Sequence, residues 1–164
     1  MKQRTSPSLH PPFPILTGSA NVMMYALYLM ALHPSVQDTF HEELTRVCRS
    51  NEPTFQNISA DLVYALCITY ETMRLFPFVG SLPHLVQADQ LLLGKYMIPR
   101  GTNMALDWVN IQRHEKYWGP TANEFDPSRF FEKDERGGRL KVLPKGYFIG
   151  FSEGPRACLG IFLF

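Results

Sequence analysis

The segment Phe151-Ser152-Glu153-Gly154-Pro155-Arg156-Ala157-Cys158-Leu159-Gly160 sets a thiol between two glycines, with an arginine two residues ahead and apolar residues behind. The run from Leu159 to Phe164 reads as the start of a helix. A thiol just before a helix N-terminus faces unpaired backbone N–H groups and the positive end of the dipole. Both favour the thiolate, the form able to ligate a metal. Arg156 adds positive charge, and Gly154 permits a sharp turn. Gly160 removes the side chain that would stand beside the sulfur, leaving room for a flat ligand against the backbone. Phe151 can shield the sulfur from water. The competing reading is a surface loop with an ordinary small apolar cysteine. Cys48 and Cys67 complete an odd set, with no CxxC or Cys/His spacing. Neither a disulfide framework nor a zinc site is expected, and the compartment reads as reducing.

A second candidate is Glu71-Thr72-Met73-Arg74. On an exposed helix an acid and a base three apart contribute only about 0.2–0.5 kcal/mol. The flanking Leu62, Val63, Ala65, Leu66, Cys67, Ile68, Tyr70, Met73 and Leu75 point in every direction around a helical axis, so most of this helix is expected to be buried. Both charges then need internal partners. Arg129, in Asp126-Pro127-Ser128-Arg129-Phe130, is the candidate third member; a solvated arginine is the alternative.

The elements that must position these residues follow from period and punctuation. Met1 to Pro14 holds four prolines and no apolar period, and reads as a disordered leader (1–14) before the folded part (15–164). A helix is expected from about Ser19 to Leu32, stopping at His33-Pro34. Pro34 opens the next, running to about Cys48, with Val36, Phe40, Leu44 and Val47 on one stripe. Ser59 is a plausible N-cap for the Glu71/Arg74 helix, which Pro77 stops. Short apolar runs between Leu82 and Ala105, broken at Gly94-Lys95 and Pro99-Arg100-Gly101, predict a small sheet. A short helix over Trp108 to Arg113 and a long meander from Tyr117 to Leu143 follow. The fold class expected is mainly α with a small β-sheet.

The 164 residues carry 16 basic against 15 acidic side chains, 45% hydrophobic and 19% charged residues. No block of like charge offers a footprint for nucleic acid, so none is expected as a partner. Val22 to Leu32 imitates the apolar part of a signal peptide but is too short to span a bilayer; a buried amphipathic or core helix is expected there. A small membrane-associated adaptor anchored by this run is the reading it competes with.

The cysteine segment resembles the haem-binding signature F-x-x-G-x-R-x-C-x-G of the cytochrome P450 superfamily at every signature position. Glu71 and Arg74 match that family's E-x-x-R. Pro127-Ser128-Arg129-Phe130 matches its P-x-R-F, whose arginine completes a Glu-Arg-Arg cluster. Softer matches run in order: Leu27-Tyr28-Leu29 with His33-Pro34-Ser35-Val36-Gln37, Ile98-Pro99-Arg100-Gly101-Thr102, Tyr117-Trp118-Gly119-Pro120 and Phe125-Asp126-Pro127. The resemblance covers about Ile15 to Phe164. It implies a partial cytochrome P450 fold: the end of the central helix, the helices after it, the E-x-x-R helix, a small sheet, the meander and the cysteine loop. It also implies haem b (iron protoporphyrin IX), with Cys158 as the axial thiolate. Phe151, Gly154 and Gly160 would form the loop around the haem, and Arg156 would pair with a propionate. His84 stands where many members carry a propionate-binding arginine; a loop histidine is its alternative. Implied partners are an apolar small-molecule substrate, O2 and an electron-donating reductase. Implied placement, for a full-length parent, is the cytosolic face of the endoplasmic reticulum membrane.

The sequence departs from the family pattern where an acid-threonine pair usually stands on the central helix: Thr17 and Gly18 occupy those positions. Thr17 or Ser19 is the candidate distal hydroxyl, and no catalytic residue is assigned with either. The domain is expected to be truncated at both ends. Two readings follow: a segment of a haem-thiolate monooxygenase, inactive alone, or a catalytically inactive chain that folds poorly or binds haem without turnover.

Overall fold

The computed structural model describes residues 13–49, 51–81, 83–135, 137–154, 157, 158 and 160. Helix α1 spans Phe13–Leu32 and α2 spans Pro34–Cys48. His33-Pro34 separates them as the proline rule requires, with Pro34 in the first turn of α2. Arg49 ends α2 in the left-handed region, its N–H donating to Thr45 O at 3.1 Å. Helix α1 starts at Phe13, six residues before the expected Ser19. Pro14 falls in its first turn, where an N–H would have no intrahelical partner anyway. Of the expected leader, Met1 to Pro12 lie outside the described residues, and Phe13 and Pro14 are helical.

Ser59 is not an N-cap. It lies inside a π turn, Asn57–Asp61, and helix α3 begins after a break at Leu62 and spans Val63–Leu75. The true cap comes from another helix. Glu43 on α2, 6% exposed, accepts the N–H groups of Tyr64 (2.8 Å) and Ala65 (3.1 Å) with its two oxygens. A carboxylate there satisfies two orphan donors and faces the positive helix end. Glu43→Ala is expected to cost about 1–3 kcal/mol, the range for stranding donors that were bonded to a charged group. Urea denaturation reads this directly, and a loss below about 0.5 kcal/mol, the range of ordinary surface substitutions, would show that water replaces the cap.

At its other end Leu75 O accepts from Nε and Nη2 of Arg113, whose guanidinium also lies over the Phe76 ring. The strands β1 (Pro83–Leu85), β2 (Gln90–Leu92), β3 (Tyr96–Ile98) and β4 (Asn103–Ala105) make two separate antiparallel pairs, β1 with β4 and β2 with β3, rather than one sheet. Helices α4 (Trp108–Gln112) and α5 (Glu115–Trp118) lead into the meander. It holds one 3-10 turn, Pro127–Phe130, and a ribbon of β5 (Phe131–Glu132) and β6 (Arg139–Leu140).

Helix α3 is the hub. Leu29, Val36, Ile68, Leu75 and Phe125 bring α1, α2, α3 and the meander into one core. Cys67, Trp118, Ala122 and Phe130 form a second core on the other side of α3. Helix α1 is covered on one face rather than all round: Leu29 is buried with Ala26 and Met30 packed beside it and Tyr25 stacks on Phe76, while Met23, Met24, Leu27, Tyr28 and Leu32 are exposed. Among the described residues no helix is long and apolar enough to cross a membrane.

Candidate functional site

The buried charges on α3 are satisfied side by side. Arg74, fully buried, donates Nε to Glu71 Oε2 at 2.6 Å and Nη2 to Glu71 Oε1 at 2.7 Å, a two-bond clasp. Its remaining N–H groups go to backbone carbonyls of Gln112 (2.8 Å), Ala122 (2.6 Å) and Glu124 (3.1 Å). One guanidinium thus fixes α3, α4 and two points of the meander. Glu71 Oε1 also accepts the Asp126 N–H at 3.0 Å. Arg129 comes to the same carboxylate, Nε lying 3.4 Å from Glu71 Oε1, in ion-pair contact but outside hydrogen-bond geometry. Its Nη groups hold Trp118 O (3.1 Å), Thr121 O (2.5 Å) and Thr121 Oγ1 (2.6 Å). The backbone carbonyls are what the sequence hid: no side-chain pattern marks Gln112, Ala122 or Glu124 as partners of Arg74.

The cysteine loop is tied to this frame by aromatic rings and by Gln112. Tyr70 on α3 stacks on Phe148 (4.9 Å between centroids) and meets Phe151 edge-on (5.7 Å). Burial pushes the Tyr70 hydroxyl pKa up. Gln112, fully buried on α4, accepts the Ile149 N–H with its side-chain oxygen at 3.4 Å. The same residue's backbone carbonyl is held by Arg74, so the charge cluster and the loop share one residue.

Within the loop, Phe151 is buried and its carbonyl accepts the Cys158 N–H at 2.8 Å, while the Ala157 N–H donates to Gly154 O at 3.0 Å. Gly154 has φ +85°, a conformation that glycine adopts without strain. Cys158 is exposed. A Cβ built on Gly160 would lie 3.4 Å from Cys158 Sγ, in contact with it, so glycine keeps the flank of the sulfur clear. Arg156 lies outside the described residues. His84 is exposed on β1 opposite Met104, beside an open recess of about 550 Å3 bounded by β1, β4 and the Val86–Gln90 turn. Thr17 and Ser19 are both exposed in the first half of α1, and Thr17 O accepts from Asn21 Nδ2.

The other thiols sit in different chemistry. Cys67 is fully buried on α3, and burial pushes its pKa to about 12, so it stays protonated. Cys48 is half-buried at the last residue of α2. Among the described residues no group of three or more His, Cys, Asp or Glu side chains is assembled to hold a metal ion. A lone exposed thiol with a cleared flank fits an iron whose other ligands arrive with it, as in a porphyrin, rather than an ion caged by protein.

The chain is similar to known proteins. Secologanin synthase 1 of Catharanthus roseus is 34% identical over 139 residues, covering 85% of this chain and 25% of its own. The Caenorhabditis elegans protein CYP13A3 is 34% identical over 139 residues, with 85% and 26% covered. Cytochrome P450 3A13 of Mus musculus is 30% identical over 143 residues, with 87% and 27% covered. The chain thus spans about a quarter of the length of these curated relatives. The profile of the family Cytochrome P450 matches residues 17–163, from the first half of α1 through the cysteine loop, and on that match the chain, mainly helical with small antiparallel sheets, belongs to the cytochrome P450 family.

Proposed function

We propose that this chain supplies the thiolate-bearing face of a haem monooxygenase. The observation that carries the reading is the loop itself: an exposed cysteine, anchored through its N–H to a buried phenylalanine and flanked by a glycine that leaves the sulfur open. When bound, iron protoporphyrin IX supplies activation of O2, with two electrons from a reductase, for insertion of one oxygen atom into an apolar organic substrate. Everything else is work for the chain's own residues. Cys158 would ligate the iron as thiolate, the form able to bind a metal. Gly160 lets the flat ring approach, and Phe151 covers the base of the loop. Arg156 and His84 are the candidate propionate partners. Glu71, Arg74 and Arg129 position the loop through α3 and Gln112 without touching the ligand. Thr17 and Ser19 are the candidate distal hydroxyls. For a full-length parent, this reading implies the cytosolic face of the endoplasmic reticulum membrane.

The test is titration of the purified protein with haem, then reduction under carbon monoxide. A red-shifted Soret band, characteristic of thiolate ligation, is the expected result, with turnover measured after a reductase is added. Binding that yields only the unshifted band of a neutral or imidazole ligand would overturn the assignment.

A further inference from the structure

Ser152 turns left-handed without being glycine. Its φ is +61°, and among the described residues only Arg49, at the end of α2, and Leu93, at the tip of the β2–β3 hairpin, share that property. A side chain in this region crowds its own backbone, and such a residue persists only where its surroundings hold it there.

At Ser152 the hold is one peptide unit. The Phe151–Ser152 peptide is planar and trans, so its C=O and N–H point opposite ways. The N–H donates to Ile149 O at 2.9 Å, and the C=O accepts the Cys158 N–H at 2.8 Å. Ile149 is also the residue whose own N–H goes to Gln112. A single rigid plate thus joins the root of the loop to the residue that bears the thiol. Its tilt depends on the φ of Ser152, and relaxing that angle to an ordinary negative value turns the plate over and breaks both bonds together.

The reversal at Ser152 also serves the next residue. Glu153 Oε1 accepts the Gly146 N–H at 3.1 Å, which ties the outer side of the loop to the turn before it. Gly154 then reverses the chain a second time, with a φ that glycine adopts freely. Ser152 makes the same kind of turn at a cost.

We propose that Ser152 is a positioning residue for the Cys158 thiolate, acting through its left-handed backbone rather than its hydroxyl. Its consequence for the ligand rests on the haem reading above, whereas its geometry belongs to the haem-free chain. Glycine and asparagine enter the left-handed region more readily than other residues, and β-branched threonine and valine are outliers there. Backbone and hydroxyl can therefore be separated: glycine keeps the turn and loses the hydroxyl, while threonine keeps the hydroxyl and resists the turn.

Ser152→Gly, Ser152→Asn, Ser152→Thr and Ser152→Val in the whole chain test it with two readouts. The first is hydrogen exchange of the Cys158 amide without haem, followed by NMR. The second is haem titration with reduction under carbon monoxide. Ser152→Gly and Ser152→Asn are expected to keep wild-type exchange, affinity and the shifted Soret band. Ser152→Thr and Ser152→Val should exchange at Cys158 and lose haem affinity roughly tenfold or more, in line with forcing a branched side chain into the left-handed region. Leu93→Val stresses a left-handed turn outside the cysteine loop and should change neither readout. Loss of both affinity and amide protection in Ser152→Gly would overturn the proposal, even where Ser152→Val fails to fold. So would a Ser152→Thr chain that matches wild type in both readouts, or equal losses from Ser152→Val and Leu93→Val. An unshifted band in the wild type itself would defeat the haem assignment and take the ligand-positioning role with it, a failure told apart by an exchange order among the variants that still follows the backbone.

Discussion

Glu71→Ala is expected to destabilise the protein by about 3–5 kcal/mol and to prevent stable haem retention, because it removes one member of a fully buried ion pair. The carboxylate accepts two N–H groups of Arg74 and the Asp126 N–H, and Arg129 stands against it. Without it Arg74 keeps carbonyl partners and the face of Trp118, and its charge stays in a fully buried site with no bonded carboxylate to balance it. The damage does not stop at α3. Arg74 holds Gln112, Ala122 and Glu124, and Gln112 in turn holds Ile149 at the root of the cysteine loop. For a domain of this size the loss corresponds to a fall of roughly 6–20 °C in thermal midpoint. The Glu132–Arg139 pair across the β5–β6 ribbon is the matching control: both side chains are exposed, and removing either should cost under about 1 kcal/mol. Equal melting of wild type and Glu71→Ala would mean that water or a rearranged meander neutralises Arg74, and the positioning role would be lost.

The legible parts of this chain were those with short-range causes. Pro34 opens α2 with only His33 between it and the end of α1, and Gly94 turns the β2–β3 hairpin while Gly101 turns the link from β3 to β4, where the apolar runs break. Charges at Glu71 and Arg74 on a helix apolar all round could be read as buried, because an unbalanced charge there is too costly to persist. What stayed hidden was long-range or carried by the backbone. Glu43 caps α3 from 21 residues away, and nothing in an amphipathic surface pattern marks one glutamate of α2 as buried. Arg74 spends three of its bonds on carbonyls, which every residue owns equally. The start of α1 was obscured by proline density, although a proline in the first turn is compatible with a helix. Which side of α1 stays exposed could not be read. Its run from Val22 to Leu32 is as apolar as a buried helix, and burial depends on which surfaces meet it rather than on its own composition.

Cys158→Ser is expected to abolish the red-shifted Soret band of the reduced carbon monoxide complex, while Cys67→Ser and Cys48→Ser preserve it. The three thiols differ in access and in ionisation, and both are required of a ligand. Cys67 has neither: it is fully buried between Trp118, Ala122 and Phe130, and its pKa near 12 keeps it protonated at any working pH. Serine there loses a packed sulfur and costs stability, yet leaves the spectrum's position alone. Cys48 closes α2, and its nearest loop leads to the polar 51–57 stretch rather than to a glycine-bearing turn. Cys158 is exposed at the end of a loop whose geometry is fixed by the Phe151 carbonyl and cleared by Gly160. A hydroxyl in its place is too weak an acid to supply the anionic soft donor, so haem retained by Cys158→Ser should show an unshifted band and weaker binding. Gly160→Ala separates position from identity. The thiol remains, but a methyl group 3.4 Å from the sulfur crowds the approach of a flat ring, so affinity should fall while any bound fraction keeps the shifted band. Alkylation gives a readout independent of haem: in the haem-free chain, Cys158 should react with a maleimide first and Cys67 only on unfolding. Loss of the shifted band in Cys67→Ser with its retention in Cys158→Ser would reverse the assignment and move the ligand to the core of α3.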